Sequence, residues 1–118
     1  MRASRAEIKI EEILQMNEVN FIEEYEFPEL LSPNGKPLRF DFAILDDDGN
    51  LDFLIEYNGK QHYEPVAKFG GKRGLYQQQY NDTKKKRFCA LKHINLVIIP
   101  YTDENLISYD YIFKKAGY

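Results

Sequence analysis

The run "INLVIIPY", residues 94–101, is almost wholly apolar over the length of one strand. Apolar side chains at both parities need cover on both faces of a sheet, which is the pattern of a central or parallel-paired strand. The remaining elements must therefore supply neighbouring strands and packed helices.

Upstream, Ser4, Ala6, Glu7, Ile10, Ile13 and Leu14 have helical spacing over about residues 5–17. "SRAE" has the form of a capping box, with Ser4 as cap and Glu7 reaching back. "VNFIEEYEF" (19–27) reads as a half-buried strand with a bend, and "PELLSPNGKP" (28–37) as a loop that turns at Asn34-Gly35. "LRFDFAIL" (38–45) alternates, with Leu38, Phe40, Phe42 and Ile44 expected on one face and Asp41 on the other. "DDDGN" is a hairpin turn into the strand "LDFLIEY" (51–57). Residues 63–74 have no periodicity and are expected to form a mobile surface loop. A helix over 75–93 follows, with Tyr76, Tyr80, Phe88 and Leu91 inward and Asp82 on a solvated face beside Lys85, Lys86 and Cys89. A last helix is expected over about 103–115. The order α-β-β-β-α-β-α fits a mixed sheet flanked by helices, of the α/β or α+β kind.

With 118 residues and 43% apolar side chains, the chain supports one core, so a single domain over 1–118 is expected. No apolar run approaches the roughly 18 residues of a membrane span, so no membrane partner is expected. The N-terminus lacks a continuous apolar segment of the secretory kind, which predicts a cytoplasmic location. One cysteine, Cys89, excludes an internal disulfide and a multi-cysteine zinc site. A net charge of −3 argues against coating nucleic acid through bulk positive charge. The charge is uneven, however: residues 68–87 carry seven cations and one acid, which predicts one basic face.

The chemistry concentrates in "LIEYNGKQHY" (54–63). Asp41 and Glu56 lie on two strands joined by a short hairpin, where opposite Cβ atoms are about 5 Å apart. Two carboxylates on one sheet face repel each other unless a cation lies between them, and removing either is expected to leave apo stability level or higher. Mg²⁺ takes one or two carboxylates and keeps open positions for phosphate oxygens, and Mn²⁺ is expected to substitute. Asn58, Lys60, Gln61 and His62 crowd the strand exit around Gly59, a residue that permits a sharp turn or a close approach. Phosphodiester hydrolysis needs a metal, a proton-transfer group and donors to the nonbridging oxygens. Asp41 and Glu56 match the first need, His62 the second, and Lys60 or Gln61 the third. Two solvated acids and a structural histidine are the bland alternative.

"RFDFAI" followed by "LIEYNGKQHY" resembles the PD-(D/E)XK nuclease superfamily, in the branch of very-short-patch repair endonucleases and related phage homing endonucleases. The resemblance runs from about residue 6 to 102. It implies a restriction-endonuclease-like fold and Mg²⁺-dependent hydrolysis of double-stranded DNA, in the host cell cytoplasm for a phage-encoded chain. It further implies Asp41 and Glu56 as metal ligands, His62 as general acid–base, Glu7 as the helix glutamate near the metal's water shell, and Asp82 as the late aspartate. Two departures stand out. Asn58 occupies the superfamily's usual lysine position, so Lys60 or His62 would take over that role. One cysteine and two histidines cannot build the patch-repair zinc site, which brings the phage lineage closer.

Lys72, Arg73, Lys85 and Lys86 are expected to position DNA phosphates, contacts that carry no sequence information. The Tyr- and Gln-rich "LYQQQYN" (75–81) suits stacking on bases or reading them, and equally a wet helix face. Two further readings stay open: a cleavage-deficient DNA-binding accessory module of the same fold, and a protein–protein module whose acids are merely solvated.

Overall fold

The structure is a computed structural model that describes residues 4–118. Its elements are α1 (Arg5–Met16), β1 (Phe21–Leu31), β2 (Pro37–Leu45), β3 (Leu51–Asn58), α2 (Gly71–Lys92), β4 (Asn95–Pro100) and α3 (Tyr109–Lys115). Short 3-10 turns lie at Lys60–His62, Ala67–Phe69 and Tyr101–Leu106. Helices and strands follow the expected order, in an α/β arrangement with a mixed sheet.

The sheet order is β1-β2-β3-β4, with antiparallel pairs except for the parallel pair β3/β4, which α2 connects. Helices α1 and α3 cover one face, where Ile10, Leu14 and Ile112 pack on Phe42, Phe53, Ile55 and Val97. On the other face α2 packs through Cys89 and Phe88 near Phe40, Ala43 and Leu54. Cover on both faces explains the apolar run at 94–99, although β4 lies at the sheet's edge. No helix among the described residues is long and apolar enough to cross a membrane.

Ser4 caps helix α1 as expected, with Glu7 N–H donating to Ser4 Oγ at 3.2 Å, and Glu7 reaches back to the Ser4 hydroxyl, which donates to its Oε1 at 3.0 Å. Strand β1 runs on to Leu31, through residues expected to be loop. Pro28 is tolerated because β1 is an edge strand, and the ladder with β2 breaks between Glu26 and Leu31. Residues 63–74 are likewise not all loop, since α2 begins at Gly71. A Cβ on Gly74 would lie 1.7 Å from the Phe69 carbonyl oxygen, so glycine is required in that first turn. The last helix is shorter than expected, because a 3-10 turn ends at Leu106 with Ile107 as its cap and Ser108 then caps a separate α3.

The phase expected for β2 is corrected. On β2, Phe42 and Ile44 pack toward α1 whereas Leu38 and Phe40 pack toward α2, so the four do not share a face. The switch falls at Asp41. Opposite it, β1 switches from Phe21 on the α1 side to Tyr25 and Phe27 on the α2 side, with Glu24 between them in the left-handed region at φ 54°. The bend expected in β1 is therefore shared by both strands.

On α2, Tyr76, Tyr80 and Leu91 are exposed, and the inward stripe is Gln78, Asp82, Lys85 and Cys89. Its spacing of four, three and four residues is that of one helix face. Of the four residues expected inward, Phe88 packs against the core, whereas Tyr76, Tyr80 and Leu91 face out.

Candidate functional site

Beyond the last paired residues of β2 and β3, Phe42 and Ile55, the strands fork, and side chains replace the backbone ladder. Asp41 N–H donates to Glu56 Oε1 at 2.9 Å, and Tyr57 N–H donates to Asp41 Oδ2 at 2.7 Å. Each carboxylate thus satisfies an amide that the fork leaves unpaired. Glu56 is 6% exposed, and its second oxygen accepts from Lys85 Nζ at 2.9 Å. The Lys85 ammonium lies 5.3 Å from the Phe40 ring centroid, so it is held between a carboxylate and an aromatic face. The cation that two converging acids require comes from α2.

A second pair lies beside the first. His62 Nδ1 meets Asp82 Oδ2 at 2.8 Å, both side chains largely buried, and Gln78 Nε2 donates to Asp82 Oδ1 at 3.2 Å. With Nδ1 on the carboxylate, Nε2 is the imidazole atom left to exchange a proton. A small cavity lined by Glu56, Asn58, Asp82, Lys85 and Lys86 joins the two pairs. Asn58 is 5% exposed, and its Oδ1 is buried without a hydrogen-bond partner.

Across the fork, single carboxylate oxygens of Glu7, Glu24 and Asp41 lie within 4.8 Å of one another. Glu7 serves both the capping box and this cluster, so its two sequence readings are compatible. Glu24 carries no local signal in the sequence; the shared bend brings it to Asp41, and Arg39 holds it at 3.1 Å. The three carboxylates are a hard-oxygen donor set of the kind a small divalent cation takes.

Asp41 lies outside the ordinary carboxylate range. Burial first, then the charges of Glu56 and Glu7, push its carboxyl up to about 8, against the Tyr57 N–H and Lys85. Burial also raises Glu56, against the opposing pull of Lys85, the Asp41 N–H and His62. Nearby, Glu23 is pushed up to about 7, chiefly by sharing a hydrogen bond with Glu11 and then by desolvation. A folded-state value of about 8 against an ordinary value near 4 means that the folded chain holds a proton which the unfolded chain releases. Stability is therefore full below about pH 4 and is lost as pH rises toward 8. Scanning calorimetry of the apo protein should find a Tm roughly 5–15 °C lower at pH 8 than at pH 5. Asp41→Asn should flatten that slope, and Mg²⁺ should raise Tm more at pH 8 than at pH 5. A parent-like slope in Asp41→Asn would remove Asp41 as its source.

The other candidates divide. Lys60 is exposed, and its nearest acid is Glu64 at 3.9 Å, four residues on. Gln61 lies over Gly59, with its Oε1 2.6 Å from where a Cβ would sit. Gly59 has φ −69°, open to any residue, so the chain makes no glycine-only turn there. Lys72, Arg73 and Lys86 are exposed on α2, whereas Lys85 is buried and ion-paired and so is not a surface phosphate contact. Asp82 faces inward, not solvent. Lys85 was legible only indirectly, since it follows Asp82 by three residues on one helix face.

No family model matches the chain, and no solved structure matches it. Its sequence is similar to uncharacterized protein 307L of Invertebrate iridescent virus 6, 34% identical over 87 residues that make up 72% of this chain and 44% of the relative. It is also similar to uncharacterized protein 094L of Frog virus 3 (isolate Goorha), 39% identical over 62 residues, 51% of this chain and 40% of the relative. A third relative, uncharacterized protein 033L of Invertebrate iridescent virus 3, is 43% identical over 49 residues, 41% of this chain and 25% of the relative. The chain thus spans less than half the length of each of these relatives.

Proposed function

We propose that the chain is a metal-dependent DNA endonuclease with a restriction-endonuclease-like fold, of the PD-(D/E)XK kind and allied to the patch-repair and homing branch. The observation that carries this reading is the fork itself: Asp41, Glu56, Lys85, His62 and Asp82, from β2, β3, the turn after it and α2, converge in two bonded pairs and a carboxylate cluster. A fold needs none of these groups buried together, and burying them costs stability.

Asp41 with Glu7 and Glu24 would hold Mg²⁺ or Mn²⁺, and Glu56 borders that set through the Asp41 N–H. Such a cation supplies Lewis acidity for the phosphate and acidifies water. Lys85 provides positive charge at the fork, in the role expected of Lys60 or His62. His62, oriented by Asp82, exchanges a proton through Nε2 with the attacking or leaving oxygen. Exposed Lys72, Arg73 and Lys86 position the duplex by its phosphates. A cytoplasmic site of action in an infected host cell accords with the viral origin of the similar proteins.

A plasmid-nicking assay tests the reading. Supercoiled DNA should be relaxed or linearised with Mg²⁺ and left intact with EDTA, and Asp41→Asn should abolish the reaction while remaining folded. A folded parent that cuts nothing with Mg²⁺ or Mn²⁺ would overturn it. Glu56 has both oxygens already bonded, which favours a second reading, DNA binding without cleavage. In that case duplex binding would persist and nicking would be absent.

A further inference from the structure

Beside the buried polar stripe of α2, the flank carrying Tyr76, Gln77, Tyr80 and Asn81 forms one wall of a cleft of about 550 Å³. The β1–β2 connection and the start of β2 form the other, with Asn34, Lys36 and Leu38. Tyr76 and Tyr80 are 65% and 57% exposed, a large apolar surface left in water. Four residues apart on a helix, they form one aromatic ridge. Gln77 and Asn81, also four apart, set two amides along it, and Asn34 adds a third from the opposite wall. Lys36 is the charged residue of the lining, which contains no carboxylate. Asn81 directly precedes Asp82, so the cleft adjoins the buried pair along the same helix.

We propose that this cleft holds an unpaired nucleobase of a DNA strand. Aromatic faces stack on any base, amides present both a donor and an acceptor to a base edge, and a cation without opposing acids suits a phosphate-linked chain better than a peptide. The volume lies within the range of small-ligand clefts, roughly 300–1,000 Å³. The choice of DNA rests on the nuclease reading; the stacking chemistry does not.

The test is fluorescence anisotropy in EDTA, with labelled oligothymidylate of about 12 nucleotides and an abasic oligomer of equal length. The thymidine oligomer should bind about tenfold more tightly than the abasic one, the scale of one stacked base. The double variant Tyr76→Ala, Tyr80→Ala should bind both oligomers alike, whereas Tyr76→Phe, Tyr80→Phe should keep the parent's preference. Both tyrosines are exposed, so an unchanged far-UV spectrum and Tm are expected for each variant. Equal affinity of the parent for the two oligomers, or an undiminished preference in the alanine variant, would overturn the cleft as a base site. Binding is read without a divalent cation, so a chain that never cuts DNA can still pass, and one that nicks plasmid can still fail.

Discussion

Lys85→Met should be the most destabilising single change at the fork, costing about 3–5 kcal/mol at pH 8 by leaving a buried carboxylate without its cation. Glu56 is 6% exposed, so water cannot replace the ammonium that lies 2.9 Å from its Oε2. A loss of that size lowers Tm by roughly 12–20 °C in a domain of this length. The cost should be smaller at pH 5 than at pH 8, because burial raises the Glu56 carboxyl and lower pH favours its neutral form, which does not need the cation. Glu56→Gln placed on Lys85→Met should recover most of the loss, as the amide can still accept from the Asp41 N–H. Glu56→Ala alone should also destabilise, contrary to the relief of repulsion expected from two bare acids, because it orphans both Lys85 and that N–H. Urea unfolding at the two pH values decides the matter. A Lys85→Met protein as stable as the parent at pH 8 would mean that the pair does not hold in solution.

His62→Ala should slow single-turnover cleavage by roughly 10²–10⁴-fold at saturating enzyme, the range for general acid–base catalysis. Duplex affinity and the Mg²⁺ dependence of Tm should change little, since the ring contacts Asp82 rather than the carboxylate cluster. On that reading Asp82 is a positioning residue, bonded to His62 Nδ1 at 2.8 Å. Asp82→Ala removes that partner and frees the ring, so the cleavage rate should fall while duplex affinity holds. A folded His62→Ala with an undiminished rate would make the imidazole structural. An undiminished rate in a folded Asp82→Ala would reduce the pair to packing.

Element order was legible because it depends on local period and turn chemistry: the capping box at Ser4, the hairpin at 46–50, and the apolar strand at 95–100. So was the pairing of Asp41 with Glu56, since a short hairpin leaves little choice of register. The inward face of α2 was not legible. A rule that turns apolar residues inward selects Tyr76, Tyr80, Phe88 and Leu91; it holds for Phe88 and fails for the other three because β3 and the following turn offer Glu56 and His62 as partners to Lys85 and Asp82. Lys85 and Asp82 are stable inside only in the presence of those partners, and no property of the helix's own sequence records them. Glu24 shows the same limit. It joins Asp41 because a left-handed residue bends β1 where β2 changes face, and that bend follows from helices covering both sides of the sheet. Local sequence determined which segments are helix and strand and which residues bear chemistry. Packing decided which of them meet, because burying a charge is favourable only where a distant part of the chain supplies its counter-charge.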